Sequence, residues 1–189
     1  MTKKFKAKNM EKLDNPLRRK MLPPDEIVKN LNIEKDTSVA DVGCGTGYFT
    51  IPFAREIGER GTVYAIDINP MMLEETRRRT EEERLMNVDI VQSSENNFVL
   101  KDNAVDIIFT STVFHEVDSP RKFLAECRRI LKNDGRLVIL DWNKIDEDFG
   151  PPRHKRIDIE EVKKYLSEGN FDIKDINYVG NSFYIVEGM

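Results

Sequence analysis

Apolar positions along this chain change period repeatedly. Short apolar runs at 38–42, 62–68, 88–92, 105–110 and 136–141 read as buried strands. Between them the apolar residues recur every three to four positions. Ile27, Val28 and Leu31 mark a helix over 25–31, and Phe49, Phe53, Ala54 and Ile57 mark one over 48–57. Further helices are expected over 71–85, 121–131 and 159–167. The punctuation agrees with these bounds. Gly58 and Gly61 close one helix and open the next turn, Pro70 and Pro120 sit where a first helical turn tolerates proline, and Asn133-Asp134-Gly135 stops the helix before the fifth strand. Two last runs, 171–178 and 182–186, are joined through Gly180-Asn181 and read as a β-hairpin.

Strands alternating with helices imply a parallel sheet covered on both faces, with right-handed crossovers. The expected class is α/β: a Rossmann-like, doubly wound sheet, mostly parallel, with a C-terminal antiparallel hairpin at its edge. Residues 1–24 are polar and basic and are interrupted by Pro16, Pro23 and Pro24. They read as a tail, basic over Lys3 to Lys8, leading into a short helix at 16–21 with little share in the core. The domain proper is expected over 25–189.

Composition narrows the function classes. At 189 residues there is room for one domain, which must hold any cofactor and its substrate together. A net charge of -4 with 34% charged residues gives no reason to expect a nucleic-acid partner. No apolar run approaches the roughly 20 residues of a membrane span, and the start MTKKFKAKNMEK lacks a signal-peptide core. A cytoplasmic protein with a small-molecule substrate is the expectation, and the oligomeric state stays open. Cys44 and Cys127 have no ligand-like spacing, so no metal site or disulfide is expected.

The chemistry concentrates in VADVGCGTGYFT, residues 39–50. A strand ending in Asp41 runs into Gly43, Gly45 and Gly47. Glycines there let a ligand approach main chain where the next helix begins, and main-chain N–H groups at such a turn favour an anionic or polar group. The third glycine comes one residue earlier than in the dinucleotide fingerprint G-x-G-x-x-G. Ligands of open α/β sheets lie beyond the carboxyl ends of the strands, so residues after the first four strands should converge. Asp67, twenty residues past Gly47 at the end of the second strand, suits a ribose diol.

The glycine segment resembles motif I of the class I S-adenosylmethionine (SAM) dependent methyltransferases. The resemblance covers about residues 13–188 and is nearest the quinone-biosynthesis-like group. It implies SAM as cofactor and a seven-stranded sheet closed by the hairpin. Asp41 would help hold the amino group of the methionine tail, Gly43, Cys44 and Gly45 would face that tail, and Asp67 would take the ribose. IDINPMML is similar to the family's D-x-S-x-x-M-L, with Asn69 in the serine position, so Ile68 and Met72 would flank adenine. Where relatives have G-D-A this chain has Ser93-Ser94-Glu95, which leaves Ser94 or Glu95 to meet the adenine amino group. Thr110 would complete the cofactor contacts at the end of the fourth strand.

Methyl transfer needs alignment, exclusion of water and, for an acidic acceptor, a base. His115 and Glu116, just after the fourth strand, are the catalytic candidates. Asp141 at the end of the fifth strand is a substrate-facing candidate, as are Arg153 and Arg156 behind the stiff Gly150-Pro151-Pro152 segment. Thr110-Ser111-Thr112 stands where methyltransferases of exocyclic amino groups carry N-P-P-Y or D-P-P-Y, so a small or lipid-like acceptor is expected. A nicotinamide-dependent oxidoreductase and a non-catalytic SAM- or nucleotide-binding protein remain as alternatives.

Overall fold

The computed structural model describes residues 13–189; the basic stretch Lys3 to Lys8 lies outside them. The elements run α1 (Pro16–Met21), α2 (Pro24–Asn30), β1 (Ser38–Val42), α3 (Thr50–Ile57), β2 (Thr62–Asp67), α4 (Pro70–Glu82), β3 (Val88–Gln92), β4 (Val105–Ser111), α5 (Pro120–Ile130), β5 (Leu131–Trp142), α6 (Ile159–Glu168), β6 (Ile173–Val179) and β7 (Phe183–Gly188). Single 3-10 turns lie at Phe114–Glu116 and Arg153–Lys155.

One seven-stranded sheet has the order β3-β2-β1-β4-β5-β7-β6. Strands β1 to β5 pair in parallel, with Val42 beside Ile66 on one side and Thr110 on the other. The chain reverses its winding between β1 and β4, and at such a switch point the loops after adjacent strands part to leave a crevice. Alternation along β4 divides the core. Ile108 packs with Phe123, Leu124, Ile130, Val162 and Leu166 on one face, whereas Ile107 and Phe109 pack with Phe49, Phe53, Ile57 and Trp142 on the other. Each fully buried Phe or Leu contributes on the order of 1.5–3 kcal/mol, so both faces hold the sheet rigid beneath the crevice.

The C-terminal hairpin forms the expected antiparallel edge: β7 pairs with β5, and β6 lies outside it as the edge strand. Hydrophobicity explains the order, because β7 buries Phe183, Tyr184 and Val186 while β6 keeps Lys174, Asp175, Asn177 and Tyr178 exposed. The fifth strand starts at Leu131 rather than 136. Leu131 pairs with Val105 and Arg136 with Ile107, so 132–135 form an irregularity within the strand instead of a helix stop. Residues 13–24 also do more than lead in: Leu22 is completely buried, and its carbonyl accepts the Tyr48 hydroxyl at 2.8 Å. Helix bounds shift slightly as well. The helix expected over 71–85 ends at Glu82 because Arg84 turns to φ 55°. Among the described residues no helix is long and apolar enough to cross a membrane.

Candidate active site

A cavity of about 940 Å³ opens at the carboxyl ends of β1 to β5. The glycine loop forms its floor, and the three glycines take φ of 77°, 56° and 82°. At Gly43 the close approach is decisive, because a Cβ would run into the Val113 side chain. At Gly45 a Cβ would meet only Leu13 at 3.8 Å, so backbone conformation alone selects glycine.

Four N–H groups of this loop are used inside the protein. Gly43 and Cys44 donate to the Ile66 carbonyl at 2.8 and 3.0 Å, Gly45 donates to Asp67 Oδ2 at 2.9 Å, and Gly47 donates to the Cys44 carbonyl at 3.0 Å. The glycines therefore admit a ligand by leaving out Cβ atoms rather than by presenting those N–H groups to an anion. Helix α4 ties the loop down from the side, since the Thr76 hydroxyl donates to the Gly45 carbonyl at 2.8 Å. Cys44 is buried beside Thr76, and burial pushes its thiol well above the usual range, so it is an inert packing group.

Asp67 sits at the end of β2 with its second oxygen accepting the Asn69 N–H at 2.8 Å, an arrangement that fixes the carboxylate at the cavity wall. Asn69 caps α4 by accepting the Met71 N–H at 3.0 Å, which is the work a serine would do there. Ile68 and Met72 both line the cavity. Asp41 lines it as well, 2% exposed, and accepts the Thr50 hydroxyl at 2.6 Å. Burial pushes its carboxyl up to about 7, Asp67's charge adds to that, and the Thr50 hydrogen bonds oppose it.

Past β3, Ser94 and Glu95 both face the cavity. Glu95 also accepts the N–H groups of Asp118 and Ser119 at 3.0 and 3.2 Å, so it fastens the entry to α5. Thr110 is fully buried within β4 and does not line the cavity; Ser111, Thr112 and Val113 do. The strand continues one residue further than expected, which moves the cavity rim past Thr110.

His115 follows on a 3-10 turn, and Asp141 approaches it from β5. Asp141 Oδ1 lies 2.7 Å from His115 Nδ1, while Oδ2 accepts the His115 backbone N–H at 3.0 Å. With Nδ1 donating its proton to this carboxylate, the neutral imidazole keeps its lone pair on Nε2. Nε2 is 3.9 Å from Glu116 Oε1, and both residues line the cavity. Burial alone would lower the imidazole's pKa, but Asp141 outweighs it, with Glu116 assisting, and the pKa rises above 6.5. Asp141 itself is completely buried and outside the cavity lining, so it acts on His115 rather than facing a substrate.

The two candidate arginines do not join the cavity. Arg153 is exposed, donating to the Lys144 carbonyl at 3.2 Å. Arg156 is buried and donates to the carbonyls of Pro151, Asn143 and Phe149 and to Glu147, so it organises the loop instead of meeting an anion. Gly150, Pro151, Pro152 and Lys155 do line the cavity, together with Trp142 and Phe149. The sequence reading missed Leu13, Asn15 and Arg18, which come from the N-terminal segment. Asn15 capping α1 and Pro16 at its first turn were the visible signals of a fixed element there.

The glycine loop at the floor, the fixed carboxylate after β2 and the sheet order β3-β2-β1-β4-β5-β7-β6 define a class I SAM-dependent methyltransferase domain. The chain belongs to the methyltransferase domain family, whose pattern matches residues 40–139. A SAM-dependent methyltransferase from Aquifex aeolicus has the same structure, with a TM-score of 0.94 and 34% identity over 98% of this chain and 99% of that one. Demethylmenaquinone methyltransferases from a Geobacillus species and from Listeria welshimeri are 29% and 32% identical over 120 and 119 residues. Those alignments cover 64% and 63% of this chain and 51% and 50% of the relatives, so the chain spans about half their length. The cofactor is SAM, and the cavity fits it: Gly43 and Gly45 leave Cβ-free backbone along its floor, and the Asp67 carboxylate stands at its wall.

Proposed function

We propose that the chain transfers the methyl group of SAM to an acidic O–H or C–H position of a small, lipid-like acceptor, with His115 as the base. The observation that carries this reading is His115 in the wall of the cavity whose floor is the glycine loop, with the buried Asp141 bonded behind it. When bound, SAM supplies an already activated methyl group, whose carbon–sulfur bond breaks as the bond to the acceptor forms. Asp41, the glycine loop and Asp67 hold and align the cofactor. His115 Nε2 takes the acceptor's proton, and Asp141 keeps the imidazole in the tautomer that can do so. Trp142, Phe149, Val113, Val117 and Phe123 give the remaining wall an apolar character that excludes water and suits a lipid-like ring or chain.

The relatives named for demethylmenaquinone put quinol-type acceptors, phenolic rings with an acidic position, first among compounds to try. The experiment is a screen of quinols, phenols and carbon acids with SAM, following S-adenosylhomocysteine formation in the wild type and in His115→Asn. Turnover with such an acceptor, lost in His115→Asn while cofactor binding stays, supports the proposal. Tight cofactor binding without turnover on any acceptor would favour a non-catalytic SAM-binding protein.

A further inference from the structure

Arg18 is 8% exposed, lines the cavity and, among the described residues, has no carboxylate partner. Among the described residues, its side chain hydrogen-bonds from Nη2 to Thr112 Oγ1 at 3.3 Å, its guanidinium lies 5.1 Å from the centre of the Tyr48 ring, and its buried Nε has no partner. The nearby carboxylate of Asp14 is held elsewhere, by Arg19 at 2.6 and 2.8 Å and by Arg79 at 2.7 Å. A buried guanidinium is costly unless an anion joins it. Two further buried hydroxyls, on Thr46 and Ser111, have no partner among the described residues and belong to the same cavity lining.

Sheet order says which end of the ligand Arg18 meets. Asp67 is on β2, on the β3 side of β1, and so marks the nucleoside end. Thr112 follows β4, on the opposite side of β1, and Tyr48 follows the glycine loop, so the two groups that hold Arg18 stand at the amino-acid end. The loop N–H groups of Gly43, Cys44, Gly45 and Gly47 are already bonded, which leaves a carboxylate there with few main-chain donors and room for a charged one.

We propose that Arg18 is the site for the α-carboxylate of the cofactor's methionine part, so that the N-terminal segment completes the cofactor site. This rests on the placement of SAM argued above. Asp14, clamped between α1 and α4 by its two arginines, anchors the segment from which Arg18 reaches inward.

Calorimetry on the full chain tests it with two ligands, S-adenosylhomocysteine and 5′-methylthioadenosine, which lacks the amino-acid end. Arg18→Met should weaken S-adenosylhomocysteine by about 10- to 100-fold, the range of charge-assisted hydrogen bonds, and change methylthioadenosine less than about 2-fold by the same reasoning. Arg18→Lys keeps the charge and the stem, and should show a smaller loss confined to the same ligand. Equal losses for both ligands, or none, would overturn the assignment. Unchanged S-adenosylhomocysteine affinity with a raised acceptor KM would move Arg18 to the acceptor. A wild-type chain that binds neither ligand would overturn the cofactor placement itself, a result the variants alone cannot produce.

Discussion

Asp141 grips His115 at two points, 2.7 Å from the imidazole Nδ1 and 3.0 Å from the backbone nitrogen of the same residue. One carboxylate thus sets both the tautomer of the ring and the position of the turn that carries it.

Replacing that carboxylate is expected to impair turnover and leave cofactor binding intact. Asp141→Asn lowers kcat by about 100- to 1000-fold, within the range of general acid–base contributions, and leaves S-adenosylhomocysteine affinity unchanged. The acid limb of the rate profile is set by a His115 pKa raised above 6.5, so activity climbs as pH rises through that value. In Asp141→Asn the limb moves to lower pH. A limb that stays in place would show that His115 is not the titrating base.

Asp67→Ala removes the proposed ribose acceptor and leaves the Gly45 and Asn69 N–H groups without their partner. Affinity for S-adenosylhomocysteine should fall by roughly 10- to 100-fold, from the roughly 1.5–3 kcal/mol of lost hydrogen bonds to a charged group. Calorimetry decides, and wild-type affinity would remove Asp67 from the site.

The first two glycines of the loop should respond unequally to a methyl group. Gly43→Ala meets Val113 and forbids itself a φ of 77°, whereas Gly45→Ala has open space and only the conformational cost. The thermal midpoint therefore falls further for Gly43→Ala, and Gly43→Ala with Val113→Ala recovers part of the difference. Equal losses at the two positions, with no recovery, would contradict the packing.

Asp41 makes stability depend on pH in a defined direction. Its carboxyl is raised from 3.8 to about 7 in the folded chain, chiefly by burial. A raised folded value means that its contribution is fully present below 3.8 and is lost as pH rises to about 7. The thermal midpoint of the ligand-free wild type should decline across this window, and Asp41→Asn should flatten the decline. Stabilisation by saturating S-adenosylhomocysteine should grow over the same window, because an ammonium group favours the ionised acid. Scanning fluorimetry from pH 5 to pH 8 checks both trends, at roughly one-unit steps.

The residues that local sequence exposes are those whose role is local. Gly43, Gly45 and Asp67 announce themselves because backbone conformation and a strand end constrain single positions. Thr110 was misplaced by one strand residue, since a strand's end is set by its neighbours on the sheet. Arg153 and Arg156 look alike in sequence, yet one is exposed and the other is buried under four hydrogen-bond acceptors.

What the chain's pattern determined by itself was the alternation of strands and helices, the glycine turn after β1 and the carboxylate after β2, all consequences of periods and backbone preferences acting over a few residues. Tertiary structure alone decided that β7 enters between β5 and β6, that Asp141 reaches His115 and that Arg18 turns into the cavity. Those outcomes depend on contacts between residues far apart in the chain, made when burial of apolar faces selects one packing and leaves each buried polar group to find its partner.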